Sequence, residues 1–337
     1  MAVVAINGLG RIGRATLKVL AGIDEVRVAA VNDLIPIDNL AYLMRYDTVY
    51  GRYGKPVSVD GDTLTIDGQP IRVFSCRDPG ELPWHDLGVE LVFECTGAFR
   101  HQDELAKHLA AGARFVLLSA PARTETITTV VHGVNQHSAG DQIISCASCT
   151  TNCITPGRRN PASQSRFGAS HDDDGTRLHR RPAHRRRCQQ RSPPRTCRRR
   201  QHRADVRRCC AGDHQSVARP ARPLRRHCDA IRVPVPVGSI ADITLVPDRP
   251  TSAAEINQIL REEAATDRYR GILGVSDDPM VSADIIGDPH ACVVDAAMTQ
   301  VVDGTLAKVM AWYDNEWGFT HQMVREALSL LGVKAEV

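Results

Sequence analysis

The sequence predicts a fold in two α/β parts: a doubly wound parallel sheet, followed by an α+β unit with a mostly antiparallel sheet. In the first 150 residues, short apolar runs alternate with helical patterns, an order that is typical of parallel sheets. Beyond about residue 230, apolar residues alternate with period two, which is typical of antiparallel strands. The length of 337 residues fits about two domains.

The first strand, Ala2 to Ile6, leads directly into a glycine-rich turn. Gly8, Gly10 and Gly13 are followed by apolar residues at helical spacing. Glycines in such a turn let the backbone approach a pyrophosphate, which then lies at a helix N-terminus. Because the strand and the helix are both present, the turn predicts a dinucleotide site.

The end of the second strand supplies a carboxylate. Asp33 follows the strand Val26 to Val31 and lies 20 residues after Gly13. At this spacing a carboxylate can accept hydrogen bonds from the adenosine ribose and repel a 2′-phosphate, which favours NAD over NADP. An ordinary polar residue at a strand end is the alternative interpretation.

Further elements are predicted on both sides of residue 150. Ser252 is expected to cap one of the helices, with Glu255 in a capping-box position, and Pro234 and Pro236 require an edge or irregular strand. The predicted helices are 40–45, 103–111, 253–265 and 321–331, and the predicted strands lie within 57–73 and at 91–97, 115–119, 130–135, 142–145, 231–237, 240–246, 291–300 and 305–313.

A candidate nucleophile lies where a short polar loop is expected to run into a helix. Cys149 would occupy the first turn, where unpaired N–H groups and the helix dipole favour a thiolate, the form that attacks carbonyls. Cys153 would lie on the same face one turn deeper and pack. A buried, unreactive cysteine is the alternative interpretation of Cys149 taken alone.

The segment Ser148-Cys149-Thr150-Thr151-Asn152-Cys153 resembles the catalytic segment of phosphorylating glyceraldehyde-3-phosphate dehydrogenases. Together the resembling stretches cover residues 1–156 and about 230–337. The other motifs that are similar to this family are Ile6 to Arg14, Ser119 to Pro121, Ile231 to Pro236 and Trp312 to Gly318.

The resemblance implies an NAD-binding domain of residues 1–149 plus 315–337 and a catalytic domain of residues 150–314. It also implies oxidation of glyceraldehyde 3-phosphate, with NAD and phosphate, to 1,3-bisphosphoglycerate in glycolysis. Erythrose 4-phosphate is an alternative substrate within the same chemistry. The site residues that it implies are Cys149 as the nucleophile, Ser148, Thr150 and Arg232 at the substrate, and Gly8, Gly10, Arg11, Ile12, Gly13, Asp33, Arg77, Ser119 and Asn315 at the cofactor.

For three of these residues the resemblance implies a particular role, and two of them also have an ordinary structural interpretation. Arg77 resembles a contact on the adenine side, although a solvated loop arginine would look the same. Arg232 lies among apolar strand residues and by resemblance binds the substrate phosphate, for which a planar guanidinium is suited; a structural ion pair is the alternative. Asn315 resembles the amide that orients the nicotinamide carboxamide.

Residues 157–229 do not fit the rest of the chain. They hold 21 of the 42 Lys and Arg residues and 6 of the 39 acidic ones, so the remainder carries 21 basic against 33 acidic residues, a net charge of −12. Their apolar residues follow neither strand nor helix period, and no strands are expected from them. Read literally, this segment is a disordered basic insert, whose arginines would suit binding to the phosphates of a nucleic acid. Its cysteines and histidines lack the spacing of a zinc site, so no metal is predicted.

A frameshift is the third interpretation of this segment. Back-translation of residues 171–180, read from the second base of each codon, permits Met-Thr-Thr-Thr-Val-His-Ala-Tyr-Thr-Ala, which resembles the family. The shifted frame places the family's proton-accepting histidine at codon 176, where this chain has Thr176. His171 and His179 are near in number only and are not assigned its role. Activity and the family's homotetramer are therefore not expected to be fully retained.

The remaining composition limits location and partners. The sequence has no apolar run long enough for a bilayer and no signal peptide, and its 11 cysteines lack a disulfide spacing, so a cytoplasmic protein with reduced thiols is expected. The expected partners are small-molecule substrates, with no membrane and no nucleic acid. The rival functions are a non-catalytic NAD-domain protein with a nucleic-acid-binding insert and an inactive, misfolded pseudoenzyme.

Overall fold

The computed structural model describes residues 1–156, 233–335 and 337 in full, together with the backbone of three strands at 167–175, 206–208 and 228–231. Two large sheets organise these residues, with a short pair of strands beside the first. Among the described helices, none is both long and apolar enough to cross a membrane.

The first sheet has nine strands and is parallel except at one edge, where the strands predicted within 57–73 form an antiparallel meander. Helices lie between its strands, as the alternating sequence pattern predicted. Its elements, with the short pair β3 and β4, are β1 (Ala2–Asn7), α1 (Arg11–Leu20), β2 (Val26–Asn32), α2 (Ile37–Arg45), β3 (Tyr46–Asp47), β4 (Gly51–Arg52), β5 (Val57–Asp60), β6 (Thr63–Ile66), β7 (Gln69–Phe74), β8 (Leu91–Glu94), α3 (Gln102–Ala110), β9 (Phe115–Leu118), β10 (Thr128–Thr129) and β11 (Ile143–Ser145).

The strand order of this sheet is β10-β11-β9-β8-β1-β2-β7-β6-β5. Strands β1 and β8 are buried on both faces, which is why their sequences are continuous apolar runs rather than alternating ones. The order reverses beside β1, so the carboxyl ends of β1 and β8 open a crevice at the switch point.

The second sheet has seven strands in the order β13-β14-β12-β15-β18-β17-β16 and is mostly antiparallel. The fold class is therefore as the sequence predicted. The remaining elements are α4 (Cys149–Ile154), β12 (Phe167–Gly175), β13 (Val206–Arg208), β14 (Cys228–Ile231), β15 (Ser239–Pro247), α5 (Ala253–Ala264), β16 (Leu273–Ser276), β17 (Cys292–Val302), β18 (Leu306–Tyr313) and α6 (Trp317–Leu331).

Three predictions about strands are wrong. A strand was expected over 130–135, but β10 ends at Thr129 and residues 132–134 form a turn, in which Gly133 has a φ of +76°. Residues 157–229 were expected to form none, yet β12 and β13 lie within them, and β14 begins there. β12 runs antiparallel to the regular strand β15, whose backbone groups pair whatever side chains the neighbour carries. A strand was also expected over 231–237, but β14 ends at Ile231, because Pro234 and Pro236 lack the N–H that a ladder requires.

Helix boundaries differ from the prediction mainly at α6, which begins at Trp317 rather than at His321. The carboxylate of Asp314 accepts hydrogen bonds from the backbone N–H groups of Glu316 and Trp317, at 2.9 and 2.8 Å, and so starts the helix one turn early. α6 then packs against α1, and its residues Phe319 and Met323 belong to the core of the first sheet.

Candidate active site

The glycine turn after β1 requires glycine for two separate reasons. Gly8 has a φ of +93°, and a Cβ there would lie 2.7 Å from the backbone nitrogen of Thr96, so both conformation and space exclude a side chain. A Cβ at Gly13 would overlap the carbonyl oxygen of Gly8. The turn is thus packed against β8 and α1, as a close approach of backbone to a ligand requires.

The N-terminus of α1 is suited to an anion. Gly10 is the N-cap and has open space around its Cα, and among the described residues no side chain caps this end of the helix. The first-turn N–H groups of Arg11, Ile12 and Gly13 precede the intrahelical bonds, and the first turn holds no acidic residue. These features fit the pyrophosphate of a dinucleotide.

Asp33 is bound to the glycine turn. Its Oδ2 accepts a hydrogen bond from the backbone N–H of Leu9 at 2.7 Å, and its Oδ1 accepts one from Ile35 at 2.9 Å. Each carboxylate oxygen keeps a further acceptor position, so a ribose hydroxyl can still bind. The residue predicted from spacing is therefore placed at the end of β2, beside the turn.

A buried polar network that the sequence did not predict lies beneath this crevice. Glu94 and His108 are fully buried, with Glu94 Oε2 3.1 Å from His108 Nε2. The indole of Trp84 donates to His108 Nδ1 at 3.0 Å, so Nδ1 is the acceptor and Nε2 carries the proton that is donated to Glu94. Glu94 Oε1 also accepts from the backbone N–H of Thr96 at 2.8 Å, which fixes the loop that contacts Gly8.

The other cofactor positions differ in exposure. Ser119 follows β9, is half-buried, and donates its backbone N–H to the carbonyl of Glu94 at 3.1 Å. Arg77 is exposed. Burial, with the nearby charge of Glu94, raises the pKa of the Cys95 thiol to about 12, so Cys95 stays protonated and packs against the core of the first sheet.

Cys149 is the first residue of α4, and Ser148 is its N-cap. The Ser148 hydroxyl accepts a hydrogen bond from the backbone N–H of Thr151 at 3.0 Å. Cys149 is half-buried and packs against the cores of both sheets, whereas Cys153 is buried with 1% of its surface exposed. Cys149 in the first turn of a helix and Cys153 in the core are as the sequence predicted, and the structure adds that Cys149 lies at the boundary between the two sheets.

The backbone that leads into α4 is held in an unusual conformation. Ala147 has a φ of +59°, a region that favours glycine, and it is fully buried. Its N–H donates to the hydroxyl of Ser145 at 3.2 Å, while the amide of Asn152 donates to the carbonyl of Cys146 at 2.9 Å. Such backbone strain persists only where the surroundings fix it, and it occurs here directly before the candidate nucleophile.

The turn before α6 lies beside the start of β15. Asn315 is buried, and its Oδ1 accepts a hydrogen bond from the backbone N–H of Gly238 at 3.1 Å. This bond assigns the oxygen of the amide to Gly238 and places the amide nitrogen on the opposite side. The Thr150 hydroxyl lies 3.1 Å from that of Tyr313, which joins α4 to β18 near this turn. Arg232, the predicted phosphate ligand, and Thr176 and His179 lie outside the described residues.

Comparisons with known proteins identify both parts of the chain. Residues 2–102 match the family model "Glyceraldehyde 3-phosphate dehydrogenase, NAD binding domain", and residues 213–315 match the corresponding C-terminal domain. The sequence predicted a departure from the family over residues 157–229, and the second match begins within that segment, at residue 213. With the crevice and Cys149, these matches define an NAD-dependent oxidoreductase.

Alignments with relatives cover almost the whole chain. It is 41% identical to the glyceraldehyde-3-phosphate dehydrogenase of Zymomonas mobilis, with 97% of this chain and 98% of the relative covered. It is 39% identical to the glyceraldehyde-3-phosphate dehydrogenase 1 of Bacillus subtilis, with 95% and 96% covered. The chain belongs to the glyceraldehyde-3-phosphate dehydrogenase family.

Proposed function

We propose that this chain oxidises glyceraldehyde 3-phosphate with NAD and inorganic phosphate to 1,3-bisphosphoglycerate, the glycolytic reaction. One observation carries the proposal: Cys149 begins α4 behind the cap of Ser148, at the boundary of the two sheets, in a chain of this family. The family and its NAD-binding domain are established by the matches above; the assignment of roles to individual residues is the step proposed here.

Cys149 is the nucleophile. Its thiolate adds to the aldehyde carbon to give the alkoxide of a thiohemiacetal, and loss of hydride from that carbon leaves a neutral thioester on the sulfur. NAD supplies the hydride acceptor. Inorganic phosphate then attacks the thioester carbon, which forms the acyl phosphate and returns the sulfur as a thiolate. We assign the stabilisation of the oxyanion in each addition to backbone N–H groups beside Cys149.

The cofactor is held by residues of the first sheet and the turn before α6. Asp33 accepts from the adenosine ribose, Asn315 orients the carboxamide through its amide nitrogen, and the α1 N-terminus binds the pyrophosphate. We accordingly assign residues 1–149 with 315–337 to the NAD-binding domain and 150–314 to the catalytic domain, an assignment that the packing of α6 on α1 supports. The full proposed set is Gly8, Gly10, Arg11, Ile12, Gly13, Asp33, Arg77, Ser119 and Asn315.

The substrate side is assigned to Ser148, Thr150 and Arg232. Ser148 caps α4 and Thr150 contacts Tyr313, so both hydroxyls also fix the nucleophile's helix. The family's histidine is absent at Thr176, and a general base typically contributes about 10²- to 10⁴-fold, so turnover is expected to be slow by about that factor. A cytoplasmic location fits this chemistry, and the family's tetramer is expected to be weakened by the departure in sequence.

The test is NADH formation from glyceraldehyde 3-phosphate and phosphate by the purified chain and two matched variants. Cys149→Ser is expected to abolish turnover, whereas Cys153→Ser, on the same helix but in the core, is expected to retain it. Undiminished oxidation by Cys149→Ser would refute the nucleophile. Faster turnover of erythrose 4-phosphate than of the triose would select the alternative substrate.

A further inference from the structure

Arg11 takes part in two regions of the fold at once. Its backbone forms the first residue of α1, at the pyrophosphate end of the proposed cofactor site. Its side chain crosses to the turn before α6, where Nε donates to Glu316 Oε2 at 2.8 Å. The guanidinium also forms an ion pair with Asp47 and lies 5.3 Å from the ring centre of Tyr50.

This guanidinium is already neutralised by protein carboxylates. The side chains of Asp47 and Glu316 are only 4% and 5% exposed, so both negative charges are held out of water against Arg11. A buried pair of this kind depends on both partners, because removing one leaves an uncompensated charge. Arg11 is therefore committed to these two carboxylates and is poorly placed to bind phosphate with its side chain.

Tyr50, whose ring lies beside Arg11, contacts a second residue of the turn before α6, Asp314. Its hydroxyl donates to the carboxylate of Asp314, with both oxygens at 3.0 Å. Asp314 also accepts from the backbone N–H of Gly287 at 2.8 Å. The two residues that flank Asn315 in sequence, Asp314 and Glu316, are thus both fixed by side chains from the first sheet's unit.

We propose that Arg11 is a positioning residue: through Glu316, with Tyr50 acting in parallel through Asp314, it holds the turn that presents Asn315 and so couples the two ends of the cofactor site. The inference rests on the proposed cofactor contacts and assigns the Arg11 side chain to the nicotinamide end. Its backbone N–H alone serves the pyrophosphate.

The test compares two ligands that share the pyrophosphate but differ at the nicotinamide. NAD and ADP-ribose affinities are measured by calorimetry for the full chain and for Arg11→Met. A coupling of the usual size predicts a loss of NAD affinity on the order of tenfold, with ADP-ribose affinity changed by less than about threefold. Equal losses for both ligands would mean that the side chain binds phosphate, and would overturn the inference.

Two further variants keep the test decisive if Arg11→Met folds poorly. Tyr50→Phe removes only the hydroxyl that binds Asp314 and leaves the ring beside Arg11, so it is expected to lower NAD affinity selectively. The control Arg72→Met removes an exposed ion pair with Asp62 and is expected to change neither ligand. A Tyr50→Phe chain with an unchanged ratio of the two affinities would contradict the coupling.

Failure of the underlying function has a different signature. If the unmodified chain binds neither ligand, the cofactor site itself is wrong and the inference falls with it. If it binds both and the variants lose both equally, the cofactor site stands and only the role of Arg11 is overturned.

Discussion

The carboxylate of Asp33 holds the glycine turn through the backbone N–H of Leu9, at 2.7 Å. The sequence spacing predicted a ribose contact for this residue, and the structure adds a second task. The carboxylate that we propose binds the ribose also fixes the backbone that we propose binds the pyrophosphate, so both proposed contacts belong to one preorganised unit.

Asp33→Ala is expected to weaken NAD binding and to reduce the preference against NADP. A hydrogen bond to a charged group contributes about 1.5–3 kcal/mol, so the loss of NAD affinity should be at least about tenfold. Dissociation constants for NAD and NADP, measured on both chains, test this. An unchanged ratio of the two constants would contradict the ribose role.

Gly8→Ala is expected to destabilise the fold and abolish NAD binding. The positive φ alone costs about 1–2 kcal/mol for an L-residue, and the clash with Thr96 adds to it. Gly61→Ala is the control, since Gly61 also has a positive φ but open space around it. Urea midpoints should fall further for Gly8→Ala than for Gly61→Ala; equal shifts would show that the close approach to Thr96 is not limiting.

The thiols should differ strongly in reactivity at neutral pH. Cys149 is half-buried at a helix start, whereas the pKa of Cys95 is raised to about 12 by burial and by Glu94, and burial raises the pKa of Cys146 well above its ordinary value. Iodoacetamide followed by peptide mapping should modify Cys149 well before Cys95 and Cys146. In urea all three should react, which serves as the control. Equal rates in the folded chain would contradict the proposed placement of Cys149.

The sequence predicted the elements that follow local rules. The glycine turn, the cap of α5 by Ser252, and the position of Cys149 at the start of α4 each depend on residues within a few positions of one another. The side-chain networks could not be predicted in this way. Tyr50 and Asp314 are 264 residues apart, and no periodicity records that they meet.

The start of α6 is an intermediate case. Asp314, three residues before Trp317, is an ordinary helix-start signal that could have predicted the boundary. The amphipathic pattern predicts a start at His321, but the first turn of α6 is buried where it packs against the 288–290 segment, so that pattern does not mark the true start.

Asp47→Asn is expected to lower stability at neutral pH. Burial would raise the pKa of Asp47, but the charge of Arg11 and the N–H groups of Val49 and Tyr50 outweigh it, so its pKa lies below the usual value. Such a carboxylate stabilises the fold above its unfolded pKa of about 3.9, and this contribution is lost as pH falls through the lower native pKa. Breaking a buried pair costs on the order of 3 kcal/mol.

Urea unfolding between neutral pH and about pH 3 measures this difference. The gap between the unmodified chain and Asp47→Asn should be full at neutral pH and should narrow as the pH falls below about 4. The exposed Asp86 gives the control, since Asp86→Asn should not change the curve. A gap that persists unchanged to low pH would show that the effect is not the charge of Asp47.

Restoring the reading frame of residues 157–229 is expected to restore catalysis. The segment begins three residues after α4 ends at Ile154, so it continues directly from the helix that carries Cys149. The shifted frame replaces Thr176 by the histidine that takes the proton of the nucleophile in the family. The specificity constant kcat/KM for glyceraldehyde 3-phosphate should rise by about 10²- to 10⁴-fold relative to the present chain.

The matched control is the restored chain with that histidine changed to asparagine, which should lose the gain while it still binds NAD. Because both chains share residues 1–156 and 230–337, a restored chain that is no faster than the present one would contradict the frameshift hypothesis.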